Sequence, residues 1–162
     1  SAALFSVSLS VIFTNLVSFV DIDPGYLSLT LLRILLIVLL TLGAVIAYPL
    51  LQSRNYSLIK EMLIDNNTAV GISFTGYIFA VEMILGNAVK LQSVFNFYEL
   101  AAFSVISIFL FYILSFVLKF ILIKLIKVNI KSEIYDQNNI GAAIGQIALC
   151  IGVANVIIHY LK

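Results

Sequence analysis

Glu61–Gly76 reads EMLIDNNTAVGISFTG, and Glu133–Ala148 reads EIYDQNNIGAAIGQIA. Glu61, Asn66, Asn67, Ala69 and Ile72 return as Glu133, Asn138, Asn139, Gly141 and Ile144, each 72 residues later. A constant offset through several positions marks a duplicated unit, and duplication changes how every residue inside it is read. Each stretch begins in a polar loop and runs into a long apolar segment. Each is preceded by another apolar segment, so one unit is a span, a basic loop, an Asn-Asn pair and a second span. Two spans per unit leave both copies facing the same way, as parallel repeats related by an axis along the membrane normal.

Composition agrees with burial in lipid. Of 162 residues, 62% are hydrophobic and 10% charged, against roughly 45–50% and about 25% in soluble domains. The net charge of +1 leaves no excess to neutralise a phosphate backbone, which excludes nucleic acid as a partner. One cysteine, Cys150, cannot make an internal disulfide. A hydrocarbon core of about 30 Å needs about 20 apolar helical residues, and four runs qualify: 29–51, 67–89, 99–123 and 138–161. A fifth, residues 4–20, is uncharged and shorter. It lacks a basic start and a small-residue cleavage site, which sets it apart from a signal peptide and predicts a short spanning or half-buried helix. The expected architecture is an all-α membrane protein: a four-helix core from two parallel two-helix repeats plus an extra N-terminal helix, five in all. The expected divisions within this one membrane domain are residues 1–26, repeat one over 27–98 and repeat two over 99–162.

Charge orients the bundle. Arg54 and Lys60 lie in the loop 52–66, and Lys124, Lys127 and Lys131 in the loop 120–137, so the positive-inside bias puts both loops in the cytoplasm and the C-terminus outside. The strip Lys119, Lys124, Lys127 and Lys131 has near-helical spacing and suits anionic headgroups. In the last span Gly141, Gly145, Ala148 and Gly152, followed by Asn155 and His159, fall on one helical face. The corresponding positions in the first copy are Ala69, Ser73, Gly76 and Ala80. Helices in lipid associate where small side chains let backbones approach, so these eight residues predict a seam joining the two spans, with spans 29–51 and 99–123 outside them.

Asn66, Asn67, Asn138 and Asn139 precede the small-residue spans and are expected as helix caps. Glu82 is an ionisable residue deep in a span, which is a functional hypothesis by default. With Asn87, Asn155 and His159 it defines a possible polar mouth at the outer end, while Gln146, beside Gly145, is expected to bond across helices. Metal chemistry needs three or four suitable ligands, and none is grouped. No catalytic constellation, phosphate loop or cofactor motif is present, so no enzyme activity, metal or cofactor is expected.

The runs SLIKEMLIDNNTAVGISFTGY (57–77), GNAV (86–89) and SEIYDQNNIGAAIGQIALCIGVANVI (132–157) resemble the YjfL-like family of small bacterial inner-membrane proteins over about residues 27–161. That resemblance implies a duplicated two-span fold, a bacterial inner membrane and an uncharacterised role. It supplies no catalytic residues. The second copy departs from the family's Asn-x-Ala pattern, carrying Asn139-Ile140-Gly141 where the first has Asn67-Thr68-Ala69. The expected function is a non-enzymatic structural or accessory membrane subunit, packing with itself or with other membrane subunits amid membrane lipids. The alternative is an ion, proton or small-solute conduit with Glu82, Asn87, Asn155 and His159 at its outer mouth. The small ligand, if one is carried, is not specified by the sequence.

Overall fold

The computed structural model describes residues 27–52, 57–90, 96–127 and 129–160, with Ser10; the expected N-terminal helix over residues 4–20 otherwise lies outside the described residues. The chain is an all-α membrane protein. Among the described residues four helices are long and apolar enough to span: α1 (Leu27–Gln52), α2 (Thr68–Lys90), α3 (Phe97–Ile126) and, after the short α4 (Ile130–Tyr135), α5 (Ile140–Tyr160). A single π-helical turn, Lys60–Ile64, precedes α2.

Local chemistry sets the helix ends. A reciprocal capping box starts α3: Asn96 Oδ1 accepts from Glu99 N at 3.0 Å, and Glu99 Oε2 accepts from Asn96 N at 2.9 Å, satisfying two donors that the helix leaves free. At its other end Lys127 turns left-handed, with φ 57°. The strip of four lysines is therefore not one helical face. The helix ends after Ile126, and Lys131 lies on the separate helix α4. Residues 120–126 and 130–135, expected as part of a loop, are helical.

The sequence points to two inner helices; the structure has one. In α2, 78% of the span is buried, against 17%, 22% and 33% in α1, α3 and α5. The other three surround it. Leu31, Leu35 and Leu39 of α1 and Phe109, Phe116 and Phe120 of α3 are exposed, an arrangement that costs nothing in lipid because acyl chains are as apolar as these side chains.

The most extensive helix contact joins α2 and α5, but not through matching small faces. Ala69, Ser73, Gly76 and Ala80 are buried, whereas Gly141, Gly145, Ala148 and Gly152 are exposed. The helix α5 instead buries Ala143, Gln146, Cys150, Val153, Ala154 and Ile157. A Cβ on Gly76 would overlap the Ile147 side chain, while one on Gly145 or Gly152 would meet none of the described residues within 4 Å. A bulky side chain set into a glycine notch makes more dispersion contacts than two smooth faces can. The small face of α5 is left pointing outward.

Candidate functional site

At the loop end of the bundle the repeated Glu…Asn-Asn pattern has one geometry in two places. The amides of Asp65 and Gln137 reach back to the carbonyls of Lys60 and Ser132 at 3.0 and 3.3 Å, and those of Asn67 and Asn139 to Glu61 and Glu133 at 2.8 and 2.9 Å. Asn66 and Asn138 lie between them with φ 52° and 50°, a left-handed conformation that asparagine tolerates better than most side chains. Asn67 Nδ2 donates to Glu61 Oε2 at 3.3 Å, and Asn139 Nδ2 to Glu133 Oε2 at 2.8 Å. The two glutamates thus hold the asparagines that immediately precede α2 and α5, a role that residue spacing does not reveal.

Capping is divided differently from expectation. Asn67 and Asn139 cap their own helices, accepting from Val70 N at 3.0 Å and Ala142 N at 3.2 Å. Asn138 crosses over: its Oδ1 accepts from Ala69 N at 2.8 Å, in the first turn of α2. Asn67 crosses in return, its Nδ2 lying 3.2 and 3.0 Å from the Ile134 and Tyr135 carbonyls that end α4. Asn66 is the left-handed corner residue, with its carbonyl 3.5 Å from the Thr68 hydroxyl. Contiguity in sequence predicted caps on the following helix only; the exchange between copies needs the tertiary fold.

Glu82 is 1% exposed and accepts a hydrogen bond from the Thr41 hydroxyl of α1 at 2.7 Å. The expected outer polar cluster is not assembled around it. Asn155 and His159 are exposed on α5 and border an open hollow whose described lining comes from α5, and Asn87 is half-buried on α2. Thr41, which bonds to Glu82, comes from α1, and periodicity along α2 cannot reveal it.

A second polar region lies near the middle of the bundle. Tyr48 and Ser73 hydroxyls are 2.8 Å apart. Tyr77 donates to the Ala44 carbonyl at 3.0 Å and lies 2.8 Å from the Tyr112 hydroxyl, which then donates to it. The Tyr48 and Tyr77 rings are 5.0 Å apart. Amphipathic rings of this kind bury their bodies and still need partners for their hydroxyls. Beyond Tyr112 a cavity of about 40 Å³ is bounded by Ser115, Lys119 and Cys150, and a crevice of about 180 Å³ by Lys119, Lys131 and Gln146. Gln146 is buried, but its Nε2 makes no hydrogen bond, contrary to the expected cross-helix bond. The signal available in sequence was Lys119 with Tyr112 and Ser115, polar residues at steps of three and four on one helix.

Among the described residues no three His, Cys, Asp or Glu side chains form a metal-binding group. No curated protein and no solved structure matches the chain. A family model does match, over residues 21–161, and so takes in all four spans. The chain belongs to the family described as Domain of Unknown Function (DUF350).

Proposed function

We propose that this is a non-enzymatic integral membrane subunit which assembles with further copies of itself through the outward face of α5. The observation that carries this reading is the contrast between two small-residue faces. Around Gly76 the face of α2 is closed by Ile147, while Gly145 and Gly152 on α5 have no neighbour among the described residues within 4 Å of an added Cβ. Small-residue faces in lipid are contact surfaces, because close backbone approach supplies the dispersion and weak polar contacts that replace a hydrophobic driving force. Further support comes from how little chain the described residues place outside the spans, so contacts with other proteins fall within the bilayer. The membrane is the bacterial inner membrane, with the basic loops cytoplasmic and the C-terminus outside, as the Lys and Arg distribution supports.

Native mass analysis in mild detergent tests the assembly. Wild-type protein is expected as a multimer of one chain. Gly145→Leu is expected as a monomer with an unchanged melting temperature, since none of the described residues comes within 4 Å of a Cβ placed there. A wild-type monomer in both detergent and lipid discs, or a multimer indifferent to Gly145→Leu, overturns the reading; a stable hetero-complex replaces self-association with an accessory role. The conduit alternative has less support, because Glu82 is turned towards Thr41 while Asn155 and His159 lie on the outer face of α5. Vesicle flux that Glu82→Gln abolishes would reinstate it.

A further inference from the structure

We infer that the crevice between α3, α4 and α5 is a binding site for the phosphate headgroup of an anionic phospholipid. It goes beyond the assembly reading and depends only on the chain's place in a membrane. The crevice is bounded by Lys119 from α3, Lys131 from α4, Gln146 from α5 and Asn129 from the turn between α3 and α4.

Charge selects the occupant. Among the described residues the crevice is bordered by the ammonium groups of Lys119 and Lys131 and by no carboxylate, and Lys119 with the buried Gln146 amide carries the choice of occupant. Gln146, 3% exposed, carries an amide Nε2 with no hydrogen-bond partner, and Ser115, at the neighbouring cavity that Lys119 also borders, carries a buried hydroxyl likewise without one. A buried donor without an acceptor is costly, and native proteins usually satisfy it with a ligand or water. Asn129 Oδ1 already accepts from Ser132 N at 3.4 Å, leaving its amide hydrogens as further donors. The lining is thus rich in donors, and an oxyanion supplies acceptors strengthened by the lysine charge. The volume of about 180 Å³ is an order of magnitude above the roughly 10–15 Å³ that admits one water.

Depth and wall chemistry favour a lipid over a free ion. The 30 residues of α3 extend about 45 Å, which equals the bilayer with its headgroup layers, about 40–45 Å. Lys119 is seven residues before Ile126, so it lies about 10 Å from that end, near the boundary of hydrocarbon and headgroup. Gln146, six residues after Ile140, lies about 9 Å from the start of α5. The rest of the described wall is apolar, Phe116, Phe120, Ile123 and Ile130, the first three exposed by 69%, 51% and 40%. An acyl chain can lie on those side chains while its phosphate enters between the lysines.

The test places the full chain in nanodiscs of equimolar phosphatidylglycerol and phosphatidylcholine and counts the lipids retained in native mass spectra. Wild-type protein is expected to retain phosphatidylglycerol in about tenfold excess. Lys119→Gln and Gln146→Leu should each reduce that excess several-fold, Lys119→Arg should keep it, and Lys90→Gln, at the opposite end of the bundle, should leave it unchanged. Inorganic phosphate at millimolar concentration should not displace the lipid. Equal retention of the two lipids by wild-type protein overturns the proposal, and that comparison needs no variant to fold. A preference that Lys90→Gln lowers as much as Lys119→Gln overturns it too, as does displacement by inorganic phosphate, which would make the site one for a free anion.

Discussion

Single side chains hold the two Glu…Asn-Asn segments together at the loop end. Asn67 is 5% exposed and serves three backbone groups besides Glu61; Asn139 is exposed and serves its own helix and Glu133. Replacing Asn67 by Ala leaves buried carbonyls unsatisfied and is expected to cost about 2–4 kcal/mol, against about 0.5–2 kcal/mol for the loss of a cap at Asn139. Reversible unfolding of the two variants in mixed micelles measures the difference, and equal costs would deny the crossover its weight. Both asparagines were legible as caps because residue type and position suffice for that. Their unequal burial was not, since it depends on which copy folds over the other. Thr41 and Glu82 make the same point: Thr41→Val removes the 2.7 Å bond and is expected to destabilise by about 1–3 kcal/mol, while Glu82→Gln keeps an oxygen acceptor and should lose less.

Between elements, the contact of α2 with α5 turns on Gly76 and Ile147. A methyl at Gly76 meets the Ile147 side chain, and overpacking of this kind costs about 1–3 kcal/mol. Gly76→Ala is therefore expected to lower the melting temperature, and Ile147→Ala in the same chain to recover much of the loss, a coupling that a double-mutant cycle measures directly. Additive losses would show that the two residues do not share the space. The pairing of these helices followed from the 72-residue offset and their small residues. The face that α5 presents did not follow, because α5 carries two stripes of helical period: Gly141, Gly145, Ala148, Gly152 and, offset around the helix, Ala143, Gln146, Cys150, Val153 and Ile157. Periodicity finds both stripes, and only the shape of the partner chooses between them.

For the whole molecule, topology is the quantity charge foretells. The native thiol, Cys150, is buried at 2% exposure, so a cysteine placed at the exposed Lys127 reports its own side of the membrane against a low background. A membrane-impermeant maleimide is expected to label Lys127→Cys in inverted vesicles and to leave it unlabelled in intact cells, the outcome required by basic loops facing inward. Labelling from outside would reverse the orientation of all four spans together.

The four described spans, their approximate limits and the loop asparagines were determined by sequence alone. Each follows from a local requirement: enough apolar length to cross hydrocarbon, and an acceptor for free amides at a helix start. Tertiary structure decided the rest. It set α2 in the centre, left the glycines of α5 outward, turned Glu82 to Thr41 and brought Lys119, Lys131 and Gln146 to one crevice. Those outcomes depend on the rotation of each helix about its own axis. In lipid that rotation is chosen by steric fit between neighbours, since the surrounding chains attract one apolar face as well as another.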